Sequence, residues 1–202
     1  MRPRPASRRR LDGLIVALLL LALAQGAGAL SIKAKAWLAP LLIENAWRAS
    51  LAAGGAPVKP WSWADTWPVA RLQAPDQGVE RFILAGDSGH ALAFGPGHSL
   101  ASAPPGSAGL AVIGGHRDTH FAFLETVTVG TRLDLQLPNG EWRTYRVAAT
   151  RVVDATRERL SRAARSESLL LVTCYPFNAI AAGGPLRFTV LAEPEPQVAG
   201  LL

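Results

Sequence analysis

Apolar and polar residues follow one another in three different ways along the 202-residue chain. From Leu14 to Ala24 the run is unbroken and apolar, and in the 19 positions to Ile32 only Gln25 and Ser31 are polar. At about 1.5 Å per residue this nearly spans a hydrocarbon core of about 30 Å, so a transmembrane helix is predicted over 14–32. Over 32–53 the texture changes: Trp37, Leu41, Ile43, Trp47 and Leu51 recur at spacings near three and four, which predicts a helix. Pro40 is a kink point inside it and Gly54-Gly55 ends it. From Val69 onward the apolar runs are short and separated by turn residues. Strands are predicted over 69–73, 81–84, 91–94, 110–114, 132–137, 142–147, 152–154, 169–174 and 186–191. Leu133, Leu135 and Leu137 alternate with Asp134 and Gln136, as a half-buried strand requires, and Asn139-Gly140 is a hairpin signal. Many short strands with no long helical period indicate a β-barrel or a sandwich.

Charge changes this picture only at the N-terminus. Seven of the 21 basic residues lie within 1–35, and from residue 36 on 14 basic residues meet 14 acidic ones, so the net +6 belongs to the leading segment. The folded part is neutral, which excludes the basic groove of a nucleic-acid binder. Five arginines in residues 1–10 mark a cytoplasmic N-terminus, and the chain after the apolar run then lies outside the cytoplasm. The run reads as an uncleaved anchor. Its rival is a cleaved signal peptide with Ala22-Leu23-Ala24 as the processing site, and both readings export the domain. The expected organisation is a basic N-terminus over 1–13, an anchor over 14–32, a helix and Trp/Pro-rich linker over 33–68, a catalytic domain over 69–192 and a flexible tail over 193–202. Five of the six tryptophans fall between 37 and 67. They read either as an interfacial belt or as residues that dock the segment on the domain.

The chain has one cysteine, Cys174, which excludes an internal disulfide and a Cys-rich zinc site. It ends the apolar run Leu169-Leu170-Leu171-Val172-Thr173, at a strand-to-turn boundary before Tyr175-Pro176. A buried structural thiol is the bland alternative. His116 follows Gly114-Gly115, where a strand end opens into a tight turn. His116 and His120 are four apart, but Arg117 and Asp118 stand where a zinc-protease motif carries its glutamate, so no metal is expected. Nor is a calcium site, because no carboxylate cluster is present. Arg187 lies on the next predicted strand and either faces solvent or presents fixed donors to a cleft. Together a thiol, an imidazole and a guanidinium suit acyl transfer: nucleophile, proton donor to the leaving amine, and oxyanion partner.

Leu170-Leu171-Val172-Thr173-Cys174, Gly115-His116-Arg117 and Arg187-Phe188-Thr189-Val190 together make residues 69–191 resemble a sortase. This is a family of membrane-anchored cysteine transpeptidases with an eight-stranded β-barrel. The family's active-site strand reads T-L-x-T-C, and Leu170 replaces its first threonine. Trp63-Ala64-Asp65-Thr66-Trp67-Pro68, His116-Arg117-Asp118-Thr119-His120-Phe121 and Cys174-Tyr175-Pro176-Phe177 are similar to the sortases of Gram-negative bacteria. The resemblance implies a mainly β, eight-stranded barrel with short helices, behind a transmembrane helix and the Trp-rich segment. It implies Cys174 as nucleophile, His116 as general acid/base and Arg187 as oxyanion and substrate stabiliser. Thr173, Leu170, Tyr175 and the loop 175–185 would border the substrate groove, while Asp118 and His120 would orient the His116 loop. The implied substrate is a protein with an LPxTG-like sorting signal, transferred to an amine acceptor without a cofactor. The implied location is the inner membrane, single-pass, with the catalytic domain in the periplasm. Two rivals remain: a cysteine hydrolase with water as acceptor, and a non-catalytic membrane-tethered barrel that binds a partner.

Overall fold

The computed structural model describes residues 6–158, 166–179 and 183–195; within the first helix the side chains of 6–11, 13, 14, 24 and 26–36 lie outside the description. The chain divides into two compact units, Met1–Leu41 and Leu42–Leu202, with the boundary inside helix α1 (Ala6–Ala52). The helix expected over 32–53 is therefore the C-terminal part of a 47-residue helix that contains Pro40. Among the described residues no helix is long and apolar enough to cross a membrane. The anchor expected over 14–32 falls partly on side chains outside the description.

The second unit is a closed eight-stranded barrel. Its strands are β1 (Pro68–Ala74), β2 (Val79–Ala85), β3 (Gly97–His98), β4 (Leu110–Gly114), β5 (Arg132–Gln136), β6 (Trp142–Asp154), β7 (Ser168–Cys174) and β8 (Leu186–Pro194). They run in the order β1-β2-β3-β4-β7-β8-β6-β5 and close through β1 and β5. Closure leaves no open sheet edge, which settles the choice between barrel and sandwich. Alternate residues of the strands fill the interior. Ala70, Leu72 and Ala74 of β1, Ala111 and Ile113 of β4, Leu133 and Leu135 of β5, and Leu169 and Leu171 of β7 form one buried cluster. In β7 the intervening Leu170 is buried as well, which is why that strand reads as a continuous apolar run.

Four predicted elements differ. Residues 91–94 are not a strand: they follow the start of a short helix, α2 (Gly89–Leu92). Ala-Leu-Ala-Phe lacks alternation, and alanine favours the helix. The two strands expected at 142–147 and 152–154 are one 13-residue strand, β6, with a register shift between Val147 and Ala149 opposite β8. The two-residue β3 was not predicted; it is held by pairing with β2 and β4 rather than by its own pattern. β8 continues through Pro194, pairing with β6 as far as Tyr145, where a tail was expected. Residues 196–202 of that tail lie outside the description. The hairpin at Asn139-Gly140 forms: Leu137 and Glu141 bond across the turn, and Gly140 has φ +87°, a conformation glycine tolerates best.

The part of α1 in this unit lies on the outside of the barrel. Ile43 packs with Leu84 and Ala91, and Phe82 and Phe94 close around them. Trp47, 2% exposed, contacts the Phe82 ring and donates from its indole to Gln136 Oε1 at 3.2 Å.

Candidate active site

β4 and β7 are parallel neighbours, so both end at the same rim of the barrel. Gly114 pairs with Val172, and Gly115 N–H donates to the Val172 carbonyl at 3.1 Å. His116 comes two residues after Gly114 and Cys174 two after Val172, so topology brings the imidazole and the thiol to one rim although 58 positions separate them in sequence. On the other side of β7, Cys174 and Arg187 are direct partners in the antiparallel ladder with β8. The neighbouring pair carries the hydrogen bond, Tyr175 N–H to the Leu186 carbonyl at 3.1 Å. Cys174 and Arg187 are thus a non-hydrogen-bonded pair, the kind whose side chains share a face and approach most closely.

Alternation sorts the residues of β7. Leu169, Leu171 and Thr173 face the interior, and Leu170, Val172 and Cys174 the outside. Cys174 is half-buried. Leu170 shares its face but is buried. Thr173 is buried too, and its hydroxyl donates to the Gly115 carbonyl at 2.8 Å, tying the cysteine strand to the histidine turn. Tyr175 stacks on Phe188 with an interplanar angle of 24°, and Phe177 meets both rings edge-on. Phe177 and Phe188 also pack on the barrel core.

The histidine turn is held at both ends. Phe121 N–H donates to the His116 carbonyl at 2.9 Å, and the Phe121 side chain is fully buried. A Cβ on Gly115 would lie 2.6 Å from that ring, so glycine is needed for the close approach. Within the turn Asp118 is exposed and His120 half-buried. Burial holds His120 toward its neutral form, the charges of Arg81 and His116 add to this, and Asp118 opposes it. The structure thus brings Cys174, His116 and Arg187 to one rim, with Asp118 and His120 in the same turn as His116. Arg187 Nη1 donates to the carbonyls of Gly184 and Leu186 at 2.7 and 2.9 Å. Among the described residues its Nε and Nη2 carry no hydrogen bond, which leaves them available as donors.

A family model for the sortase domain matches residues 72–195. The chain belongs to the sortase family. It is 33% identical over 123 residues to sortase D of Bacillus subtilis (strain 168), covering 60% of this chain and 61% of that protein. The chain therefore spans about three-fifths of that curated relative's length. Sortase A from Corynebacterium diphtheriae has the same fold, with a TM-score of 0.58 and 21% identity over 86% of this chain and 98% of that one. The pilus island 1 sortase C2 of Group B Streptococcus superposes with a TM-score of 0.56 and 27% identity, over 64% of this chain and 74% of that one.

Sequence reading assigned no part to Phe188 or the Arg117 side chain. Arg117 Nη2 donates to the Ala179 carbonyl at 2.7 Å, across from the histidine turn to the β7–β8 loop. Its place beside His116 was the available signal. The aromatic pair had none, because it forms only once Tyr175 and Phe188 face each other across two strands. The expected groove border at 175–185 is described except for 180–182.

Proposed function

We propose that this sortase-family protein is a cysteine transpeptidase that cleaves an LPxTG-like sorting signal and passes the acyl group to an amine. The observation that carries the reading is the pairing of Cys174 with Arg187 across β7 and β8, beside a β4 that is followed directly by Gly115-His116. In this mechanism the Cys174 thiolate attacks the carbonyl carbon of the Thr–Gly bond. The negative charge that develops on the carbonyl oxygen meets the Arg187 guanidinium, whose Nη1 is already occupied by backbone. The His116 imidazolium gives its proton to the departing glycine nitrogen, the C–N bond breaks, and a thioester remains on Cys174. An incoming amine loses a proton to His116, attacks the thioester and expels the thiolate. Tyr175 borders the peptide, Thr173 acts beneath it through Gly115, and the buried Leu170 supports the strand below rather than touching the peptide.

The reading includes a single-pass anchor in the inner membrane over residues 14–32, with the barrel in the periplasm. What supports it is the apolar run itself. Ile15, Val16, Leu18, Leu19, Leu20, Leu21 and Leu23 are each about half exposed or more, an apolar surface that water disfavours. Sedimentation with membranes that resists an alkaline wash is expected; recovery of the intact chain in the supernatant would sink the anchor.

The transpeptidase reading is tested by mixing the protein with an LPxTG-like peptide. Intact-mass spectrometry should show the N-terminal fragment on Cys174, and hydroxylamine should release it as the hydroxamate. Cys174→Ala should show neither. Addition of an amine should convert the adduct to an amide; if only the free acid forms with any amine offered, the protein is a hydrolase.

A further inference from the structure

We propose that Arg117 is a positioning residue of the active site: its guanidinium fastens the β7–β8 loop to the turn that carries His116, and so sets the separation of imidazole and thiol. The inference rests on the transpeptidase reading for the roles of His116 and Cys174.

Two side-chain-to-carbonyl hydrogen bonds cross the rim in opposite directions. Thr173, one residue before Cys174, donates to the carbonyl of Gly115, one residue before His116. Arg117, one residue after His116, donates to the carbonyl of Ala179 in the loop that follows Cys174. The histidine and the cysteine therefore stand between two cross-links, an inner one from Thr173 and an outer one from Arg117, both partly buried. The inner bond is made between a strand and a strand end already joined by Gly115 N–H to Val172. It fixes the approach of the two backbones but not the direction in which the turn continues.

The outer bond supplies what the inner one lacks. The chain from His116 to Phe121 is a turn closed by Phe121 N–H on the His116 carbonyl, with the buried Phe121 ring as its far anchor. Between these points the Arg117 side chain adds a hold on residue 117. The loop after Cys174 is anchored by Phe177, packed on the core and against Phe188, and by Ala179 N–H on the Pro176 carbonyl at 3.3 Å. Arg117 thus joins two segments that are each already fastened elsewhere. A bond between two anchored segments sets their spacing rather than their existence. Placement of a proton donor to within about 1 Å is worth up to about 100-fold in rate.

The test uses the full-length protein with Arg117→Ala, Arg117→Gln and Arg117→Lys. For Ala and Gln, kcat for thioester formation should fall about 10- to 100-fold, while KM for the peptide changes little. The rate profile of Cys174 alkylation by iodoacetamide should move toward that of His116→Ala, since the proposal makes Arg117 act through the placement of His116. Lysine, which keeps a donor and the cation, should recover part of the rate. Unchanged kcat and an unchanged alkylation profile in folded Ala and Gln variants would overturn the proposal. So would an effect confined to KM, which would make Arg117 a peptide contact. If the Ala variant does not fold, Gln and Lys carry the test. Alkylation needs no peptide, so the proposal is tested even if the wild-type protein forms no thioester, a result that would instead defeat the transpeptidase reading.

Discussion

At the scale of single residues, the rim is built from groups whose neighbours restrict their alternatives. Gly115 shows this most directly. Alanine there would bring Cβ to 2.6 Å from a Phe121 ring with no exposed surface into which to move. Gly115→Ala should cost about 1–3 kcal/mol of stability, read as a drop of several degrees in thermal midpoint. Its activity should fall further than that loss explains, because His116 is the next residue. Arg187 is the second case. Its Nη1 holds the carbonyls of Gly184 and Leu186, while Nε and Nη2 carry no hydrogen bond among the described residues. Lysine has one nitrogen for both tasks, so Arg187→Lys should retain the charge yet lose about 100-fold in kcat/KM, as loss of a preorganised oxyanion donor does. Near wild-type turnover in that variant would show that charge alone matters. Cys174, His116 and Arg187 were legible in sequence as candidates because their chemistry is rare and their flanking residues are distinctive. Phe188 was not, since a phenylalanine on a strand is ordinarily core, and only its partner across the ladder tells the two uses apart.

At the scale of elements, the end of α1 and the barrel are mutually dependent. The neutral charge balance and full strand set after residue 55 suggest a domain that folds from there. Yet Ile43, Ala46, Trp47 and Ser50 are buried, with Trp47 on Phe82 and Gln136 and Ile43 against Leu84 and Ala91. Removing this turn of helix strips apolar cover from β2 and α2. A chain that begins at residue 42 should melt cooperatively near the full-length midpoint, whereas one that begins at residue 55 should be markedly less stable. Trp47→Ala alone should lose about 3–5 kcal/mol, the usual cost of truncating a buried aromatic residue. A residue-55 chain with an unchanged midpoint would show that the helix merely rests on the barrel. The helical spacing was readable in advance, but of the residues that carried it only Ile43 and Trp47 are buried: Trp37 and Leu41 are exposed, and Ala46 and Ser50 complete the buried face. Which surface received that face was not readable, because the receiving residues lie on β2 and α2 and in the Phe94 turn.

At the scale of the whole molecule, two groups on β2 and its surroundings predict how stability responds to acid. Hydrogen bonding from Arg71 holds the Glu80 carboxyl below its usual range, so its contribution is present above about pH 4.5 and disappears as pH falls through the lowered value. Burial lowers His120 below its ordinary 6.5, so the unfolded chain takes up a proton there that the folded chain resists. Both effects destabilise on acidification, the histidine first, as pH falls below about 6.5, and the glutamate later. Thermal midpoints measured from pH 7.5 to 4 should fall in that order. His120→Gln should remove the first decline and Glu80→Gln the second; a midpoint that rises on going from pH 7 to 5.5 would contradict the assignment. The sequence by itself determined the strand content, the inward pattern of β1, β4 and β5, the separation of a basic, apolar N-terminal segment from a neutral domain, and the three candidates for the proposed acyl transfer. These are local properties: a period of two, a run of one polarity, a side chain with distinctive chemistry. The tertiary structure decided the rest. It joined two predicted strands into β6, made α2 from a predicted strand, extended β8 past Ala192, and set Arg187 opposite Cys174 and Arg117 against Ala179. Those outcomes depend on partners dozens of residues away, and register between distant strands is fixed only when the closed barrel satisfies every ladder at once.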